Sequence, residues 1–382
     1  MVSPTTSPAQ ALAARERASL PAQRIDAAGR AHVDQRLVLA LALPLMANSA
    51  VQIILNLTDM WFMGRISTKA LAAVGAVQWL VMVAVLVLGG ATTAVQTLVA
   101  QSFGARRYWR ASQSVWTALW AMACAAPLFI LVGSASHLIL APFGLAPEVQ
   151  DLAAAFWFPR VGGACVGAAV WALLGFAIFQ MMQTRLGTAD GAATQMVVIL
   201  TSLAYMPGFG IASAGTTLVG QSIGAGARDW AVRVGNRTIL LAALYMGGIG
   251  VLIALSGRWL LPFFTGAHDA DAVAAVALGT RLLWLAAGYQ FFDGLNLGSS
   301  MCLRGAGDVK VPALLVLPVS LLLFVPLAHA LIFAPGQGWV NFLPQYGYGA
   351  VGGWVAVLVY IIVLGSTLFL RWRSRAWQRI RL

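Results

Sequence analysis

The chain has 382 residues, of which 60% are apolar and only 9% are charged. Because a soluble chain carries about 25% charged residues, this composition excludes a soluble fold. The formal net charge of +12 could suggest a nucleic-acid partner, but the charges lie between long apolar runs. That placement is typical of loops between membrane spans, so we expect a lipid bilayer as the partner and no nucleic acid.

Long stretches without Asp, Glu, Lys or Arg fix the fold class. A helix crosses the hydrocarbon with about 20 predominantly apolar residues, and runs without period-two alternation favour helices over a barrel. We therefore predict an all-α polytopic membrane protein. Its nine candidate spans are 37–63, 71–100, 112–141, 160–184, 192–220, 238–264, 282–303, 311–333 and 346–370.

The chain offers no pattern typical of an enzyme. The cysteines, Cys124, Cys165 and Cys302, each fall inside a span and match no metal or redox spacing, so they are interpreted as packing residues. The four histidines are scattered, and no nucleophile–base or paired-acid spacing occurs. We expect neither catalysis nor a bound cofactor.

An internal repeat is the most informative feature. A shift of 120 positions superposes residues 64–111 on 184–231 with 17 identities in 48 positions. The matches include Gln101, Ser102 and Gly104 with Gln221, Ser222 and Gly224, which apolar low complexity alone does not explain. Repeated helical bundles are how secondary transporters build a central cavity that opens alternately to either side.

Two acids lie inside apolar spans, Asp59 and Asp293. A carboxylate there costs at least about 2.5 kcal/mol, so it normally faces protein or a wet cavity. Each lies on a polar stripe at helical spacing, and both stripes are expected to line one cavity. The stripes are Asn48, Gln52, Asn56 and Asp59 in the first span, and Tyr289, Asp293, Asn296 and Ser300 in the seventh. Such a carboxyl could carry a proton or, with nearby oxygens, hold Na+.

Structural interpretations compete with these roles. Asp59 could be a helix-end carboxylate followed by Arg65, and Asp293 could pair with another helix. Trp171, in mid-span, could stack on a cationic compound or simply pack in the core. The segment Arg304, Gly305, Gly307 and Asp308 is expected to be a tight cytosolic turn, with Asp308 capping the helix that begins near Pro312.

The sequence resembles the MATE family of multidrug and toxin extrusion antiporters. The resemblance rests on the repeated Leu-Val-x-Gln-Ser-x-Gly-Ala segment, on Asp59 to Gly64, on Tyr289 to Asp293 with Gln290 between them, and on the loop from Leu303 to Asp308. It covers about residues 37–370. It implies a two-bundle exporter of organic, often cationic compounds, driven by H+ or Na+, with Tyr289 and Asp293 at the cation site. Gln290 is then expected beside the cavity.

The chain departs from the family pattern in length. The family has twelve helices, whereas nine are predicted here, so about three helices of the first half are expected to be absent. The predicted division is a tail at 1–36, a shortened bundle at 37–158, a six-helix bundle at 159–370 and a basic tail at 371–382. The branch of the family that uses residues equivalent to Tyr289 and Asp293 also has a glutamate in its seventh helix, and 160–184 contains no acid.

The basic residues predict the topology. Five basic segments (the amino-terminal tail, 101–111, 221–237, 304–310 and the carboxy-terminal tail) should be cytoplasmic by the positive-inside rule. Simple alternation through nine spans cannot place all five there, so the path of residues 142–190 is expected to deviate. We expect a multi-pass monomer in the cytoplasmic (inner) membrane with both tails inside.

Two alternatives to the exporter function stay open. One is a truncated, non-transporting binding or regulatory protein, and the other is a lipid-type flippase of the same superfamily.

Overall fold

The computed structural model describes residues 20–26, 30–47, 57–58, 94–135, 179, 182–183, 186, 188–264, 270–338, 340 and 342–380. Within these ranges the chain is almost entirely helical. The helices are α1 (Gln35–Ala47), α2 (94–104), α3 (Tyr108–Ser134), α4 (Thr188–Gly224), α5 (Arg228–Leu260), α6 (Ala270–Gly305), α7 (Lys310–Ile332) and α8 (Gly349–Arg373). Short 3₁₀ segments follow α5 at Leu261–Phe264 and α8 at Ala376–Arg379.

The predicted all-α membrane class is confirmed. Among the described residues four helices are long and apolar enough to cross a bilayer: α4, α5 extended through Phe264, α7 and α8. The predicted spans 192–220, 238–264 and 311–333 coincide closely with α4, α5 and α7. The count of nine, and the path of 142–190, stay predictions because residues 59–93 and 136–178 lie outside the described ranges.

Two prolines interrupt the regular hydrogen bonding of α7. Pro318 and Pro326 lack the N–H that an α-helix needs. Between them, residues Val319–Phe324 form a π-helical segment, which lets the helix continue to Ile332. The segment also turns Ser320 and Phe324 inward, where both are buried.

Helix α6 is the centre of the described bundle and is packed through small residues. A Cβ on Gly294 would lie 2.5 Å from the Cα of Ala243 on α5, and one on Gly298 would lie 3.0 Å from the Cα of Ile239. On its other side, Gly365 of α8 abuts the carbonyl of Phe292. Small residues of this kind let membrane helices approach closely, which holds the polar face of α6 between its neighbours.

The amino-terminal segment is more ordered than a tail. Strands β1 (Gln23–Ile25) and β2 (Ala31–Val33) pair antiparallel, with Arg24 opposite His32. The indole of Trp230 donates to the carbonyl of Pro21 at 2.8 Å, and Arg233 donates to that of Ala31 at 3.3 Å. The hairpin therefore packs on the start of α5, within the segment 1–36 that was predicted to be a tail.

The sequence repeat has a structural counterpart in two matching turns. The amides of Ala105 and Ala225 bond to the carbonyls of Gln101 and Gln221 at 2.9 and 3.0 Å, which closes both turns in the same way. Next come residues with positive φ, Arg106 at 57° and Gly226 at 79°, before α3 and α5 begin at Tyr108 and Arg228. The offset of 120 positions is kept throughout.

The two repeated helices cross at their carboxyl ends. Gly104 of α2 abuts the carbonyl of Gln221, and Gly224 of α4 abuts the carbonyl of Gln101. Because the two contacts are reciprocal, α2 and α4 end side by side. Gln101 also donates to the carbonyl of Gly305 at 2.9 Å, so α6 ends there as well.

We call this the basic end, defined by Arg106, Arg228, Arg304 and Arg371. The hairpin on Trp230 lies there too, so all five basic segments meet at one end, as the charge pattern predicts. That this end is cytoplasmic stays a prediction.

Candidate functional site

Asp293 lies inside the helix bundle. It is on the fourth turn from the end of α6 and is 8% exposed. The amide of Asn296, one turn further on, donates to Asp293 Oδ1 at 3.2 Å. Within the described part of the chain, no Lys, Arg or His forms an ion pair with this carboxyl. A carboxylate without a cationic partner among apolar helices is costly unless water or an ion reaches it.

Three tyrosines from three helices lie in the neighbourhood of this carboxyl. Tyr205 of α4, Tyr289 of α6 and Tyr360 of α8 are close enough to interact electrostatically with Asp293. The ring of Tyr289 stacks on Trp354 with 6.2 Å between centroids, and that of Tyr360 stacks on Phe324 at 4.9 Å. The rings of Tyr289 and Tyr360 are therefore held in place by packing.

The predicted stripe on α6 is brought together with groups from α4. Tyr289 and Gln290 are buried, and Asn296 and Ser300 are partly buried, on one continuous helix with Asp293. Gln290 Nε2 donates to the carbonyl of Thr201 at 3.3 Å, which ties α6 to α4 beside the carboxyl. The oxygen donors available here (carboxylate, amide, hydroxyl) are those that a hard cation such as Na+ prefers.

The other predicted site residues lie outside the described residues. These are Asp59, Asn48, Gln52, Asn56 and Trp171. Their roles, and the expectation that their stripe shares a cavity with α6, stay predictions.

Several polar residues near the site were not predicted. Gln195 of α4 is 1% exposed, and neither of its amide atoms has a hydrogen-bond partner among the described residues. The side-chain oxygens of Gln183 and Gln290 are likewise buried without a partner. Thr194, next to Gln195, accepts from the indole of Trp354 at 3.3 Å. The sequence feature that could have indicated Gln195 is an amide side chain within a run that contains no charged residue.

Buried amides without a partner among the described residues mark a polar part of the interior. Buried side-chain polar atoms nearly always have a partner, and leaving one without costs about 1–3 kcal/mol. Trp354 contacts both Thr194 and the ring of Tyr289, which links this part of α4 to the Asp293 helix. Buried polar side chains therefore occur on α4 as well as on α6.

The loop after α6 is a structural turn, and one prediction about it was wrong. Gly307 has φ of 86°, as a tight turn with glycine requires. Asp308 does not cap the next helix, which begins at Lys310 without a side-chain cap. Its carboxylate instead accepts from Arg371 Nη2 at 2.8 Å and Nε at 2.9 Å, because α8 ends beside it. This ion pair, in which two guanidinium nitrogens contact one carboxylate oxygen, attaches α8 to the loop.

The chain matches the model of the MatE family over residues 44–159 and 165–329. It belongs to the MatE family. Curated relatives include probable multidrug resistance proteins NorM from Brucella suis, 27% identical over 193 residues, and from Mesorhizobium japonicum, 26% identical over 229 residues. The matches cover 50% and 58% of this chain but only 39% and 47% of those proteins. The match thus spans less than half the length of each relative.

Solved structures agree on the fold. A MOP superfamily transporter from Pyrococcus furiosus superposes with a TM-score of 0.73 at 15% identity, covering 90% of this chain and 96% of that one. An outward-facing multidrug resistance MATE family transporter superposes with a TM-score of 0.67 at 14% identity, over 90% and 96% of the two chains. The MatE fold is therefore shared.

Proposed function

We propose that this MatE family protein is not an enzyme but a transporter that exports organic, often cationic compounds in exchange for H+ or Na+. The observation that carries the proposal is the buried carboxyl of Asp293, which has no basic partner among the described residues and lies in the neighbourhood of Tyr205, Tyr289 and Tyr360. The relatives named as multidrug resistance proteins support the class of substrate.

A single buried carboxyl suits exchange of one positive charge for another. When Asp293 is ionised, the interior carries an uncompensated negative charge and attracts an organic cation or a coupling ion. When a proton or Na+ occupies the carboxyl, that attraction is lost and the organic cation is released. Stacked aromatic rings such as Tyr289 and Trp354 offer the apolar wall that such compounds need.

Exchange also requires the two ends of the cavity to open in turn. The crossing of α2 and α4 at Gly104 and Gly224 closes the basic end between these helices. Gln96 reinforces it by donating to Ser213 O at 3.0 Å and to Thr217 Oγ1 at 2.9 Å. We infer that opening toward the basic end separates α2 from α4 and breaks these bonds.

Efflux of ethidium from cells without their own exporters tests the proposal. We expect cells carrying the chain to lose ethidium faster than control cells, and Asp293→Asn to abolish the difference. Asp229→Asn is a matched control because Asp229 is exposed at the basic end. No efflux by the unaltered chain would favour a non-transporting role, and efflux unchanged by Asp293→Asn would remove this carboxyl from coupling.

A further inference from the structure

One corner of the basic end carries arginines that the fold leaves without protein partners. Arg237 on α5, Arg373 at the end of α8 and Arg379 in the final 3₁₀ segment are all exposed. None of them forms an ion pair or a side-chain hydrogen bond within the described residues. The nearby acids are already engaged, since Asp308 pairs with Arg371 at 2.8 Å and Asp229 lies 3.8 Å from Arg375.

Two tryptophans join the segments that carry these arginines. The indole of Trp372, next to Arg373, donates to Asn236 Oδ1 at 2.8 Å and fills the space beside Gly235, so the end of α8 meets α5 at the residues that precede Arg237. Trp377 stacks on Trp372 with 4.8 Å between centroids and donates to its carbonyl at 3.1 Å. That fold places Arg379, two residues later, at the same corner.

Exposed apolar stripes lead along both helices to this corner. On α5, Leu240 and Leu244 are 45% and 58% exposed, and both lie within two turns of Arg237. On α8, Leu370 is 65% exposed and lies one turn before Arg373. On helices that cross a bilayer such side chains face acyl chains, so each stripe ends in an arginine at the depth where lipid headgroups begin.

We propose that the corner formed by Arg237, Arg373 and Arg379 binds the headgroup of an anionic phospholipid. The guanidinium groups donate to the phosphate and to the negatively charged headgroup, while the acyl chains lie along Leu240, Leu244 and Leu370. Binding at this corner would link α5, the end of α8 and the carboxy-terminal segment. This site is separate from Asp293, and it stands whether or not the proposed transport is correct.

Native mass spectrometry of the full chain tests the site. The protein is equilibrated with phosphatidylglycerol or with zwitterionic phosphatidylcholine, and retained lipid is counted. We expect phosphatidylglycerol to be retained in preference to phosphatidylcholine, and each of Arg237→Gln, Arg373→Gln and Arg379→Gln to weaken its retention about fivefold. Because all three positions are exposed, the single variants should fold.

Two further variants separate charge from structure. Replacing the same three arginines by lysine keeps the charge and should retain most of the binding. The double variant Arg258→Gln, Arg281→Gln removes two exposed arginines away from the basic end and should bind like the unaltered chain. Equal retention of both lipids, unchanged retention in the glutamine variants, or an equal loss in the double variant would each overturn the proposal.

Discussion

Gly104 of α2 lies directly against the backbone carbonyl of Gln221 of α4, and the equivalent residue of the second repeat, Gly224, lies against the carbonyl of Gln101. The reciprocity means that a duplicated sequence packs against its own copy. Glycine is needed at both positions because a Cβ would overlap the opposite backbone, which cannot move as a side chain can.

Gly104→Ala should therefore disturb the closed basic end. We expect a loss of about 1–3 kcal/mol in the free energy of unfolding, together with slower efflux, because α2 and α4 must move apart. Gly248→Ala is the matched control, since a Cβ at Gly248 meets nothing within 4 Å. Thermal unfolding in detergent measures the first effect, and equal melting temperatures for the two variants would contradict the packing.

Gly226→Ala isolates the backbone conformation of the repeated turn. A Cβ at Gly226 has open space, but φ is 79° there. We expect a cost of about 1–2 kcal/mol from the left-handed conformation alone. Gly248→Ala, in a helix interior, should instead gain up to about 1 kcal/mol. The two melting temperatures should move in opposite directions, and a shift of the same sign would argue against a strained turn.

Asp308→Asn should break the attachment of α8 to the loop after α6. The carboxylate is 2% exposed; its Oδ2 accepts a hydrogen bond from Arg371 Nε and lies 2.8 Å from Nη2 of the same side chain, which is 25% exposed. Removing its charge should cost about 2–4 kcal/mol, since the guanidinium stays partly buried without its partner. At the exposed pair Asp229–Arg375, with 3.8 Å between its atoms, Asp229→Asn should cost less than about 1 kcal/mol. Similar losses from both variants would refute a special role for Asp308.

Gln195→Leu tests whether the unsatisfied amide holds water or a transported species. Replacing a buried amide that has no protein partner should raise the free energy of unfolding by about 1 kcal/mol. If the proposed transport uses this polar group, the same change should also slow efflux, because it removes a buried amide from α4, which Gln290 joins to the Asp293 helix. A lower melting temperature with unchanged efflux would show that the amide serves the fold rather than transport.

Local patterns in the sequence predicted the spans and the polar face of α6, because charge-free runs and helical spacing are properties of neighbouring residues. Contacts between distant segments were not predictable in this way. Asp308 was predicted to cap a helix, but its carboxylate instead accepts a hydrogen bond from Arg371, which lies 63 positions downstream. The hairpin at 23–33 has strands of three residues each, too short for a pattern, and Trp230 of α5 fixes it.

The tyrosines near Asp293 could not be predicted from the sequence for the same reason. Tyr205 and Tyr360 stand in α4 and α8, and nothing in their own spans marks them as neighbours of a carboxyl on α6. They come near Asp293 only because the fold packs α4 and α8 against α6.

Exchange in proteoliposomes tests the central proposal, coupling through Asp293, most directly. The purified chain is reconstituted, a pH or Na+ gradient is imposed, and movement of a fluorescent organic cation is followed. We expect gradient-driven movement by the unaltered chain, and weakened binding of the cation with no gradient-driven movement by Asp293→Asn. Equal gradient-driven movement by both proteins would contradict the proposal.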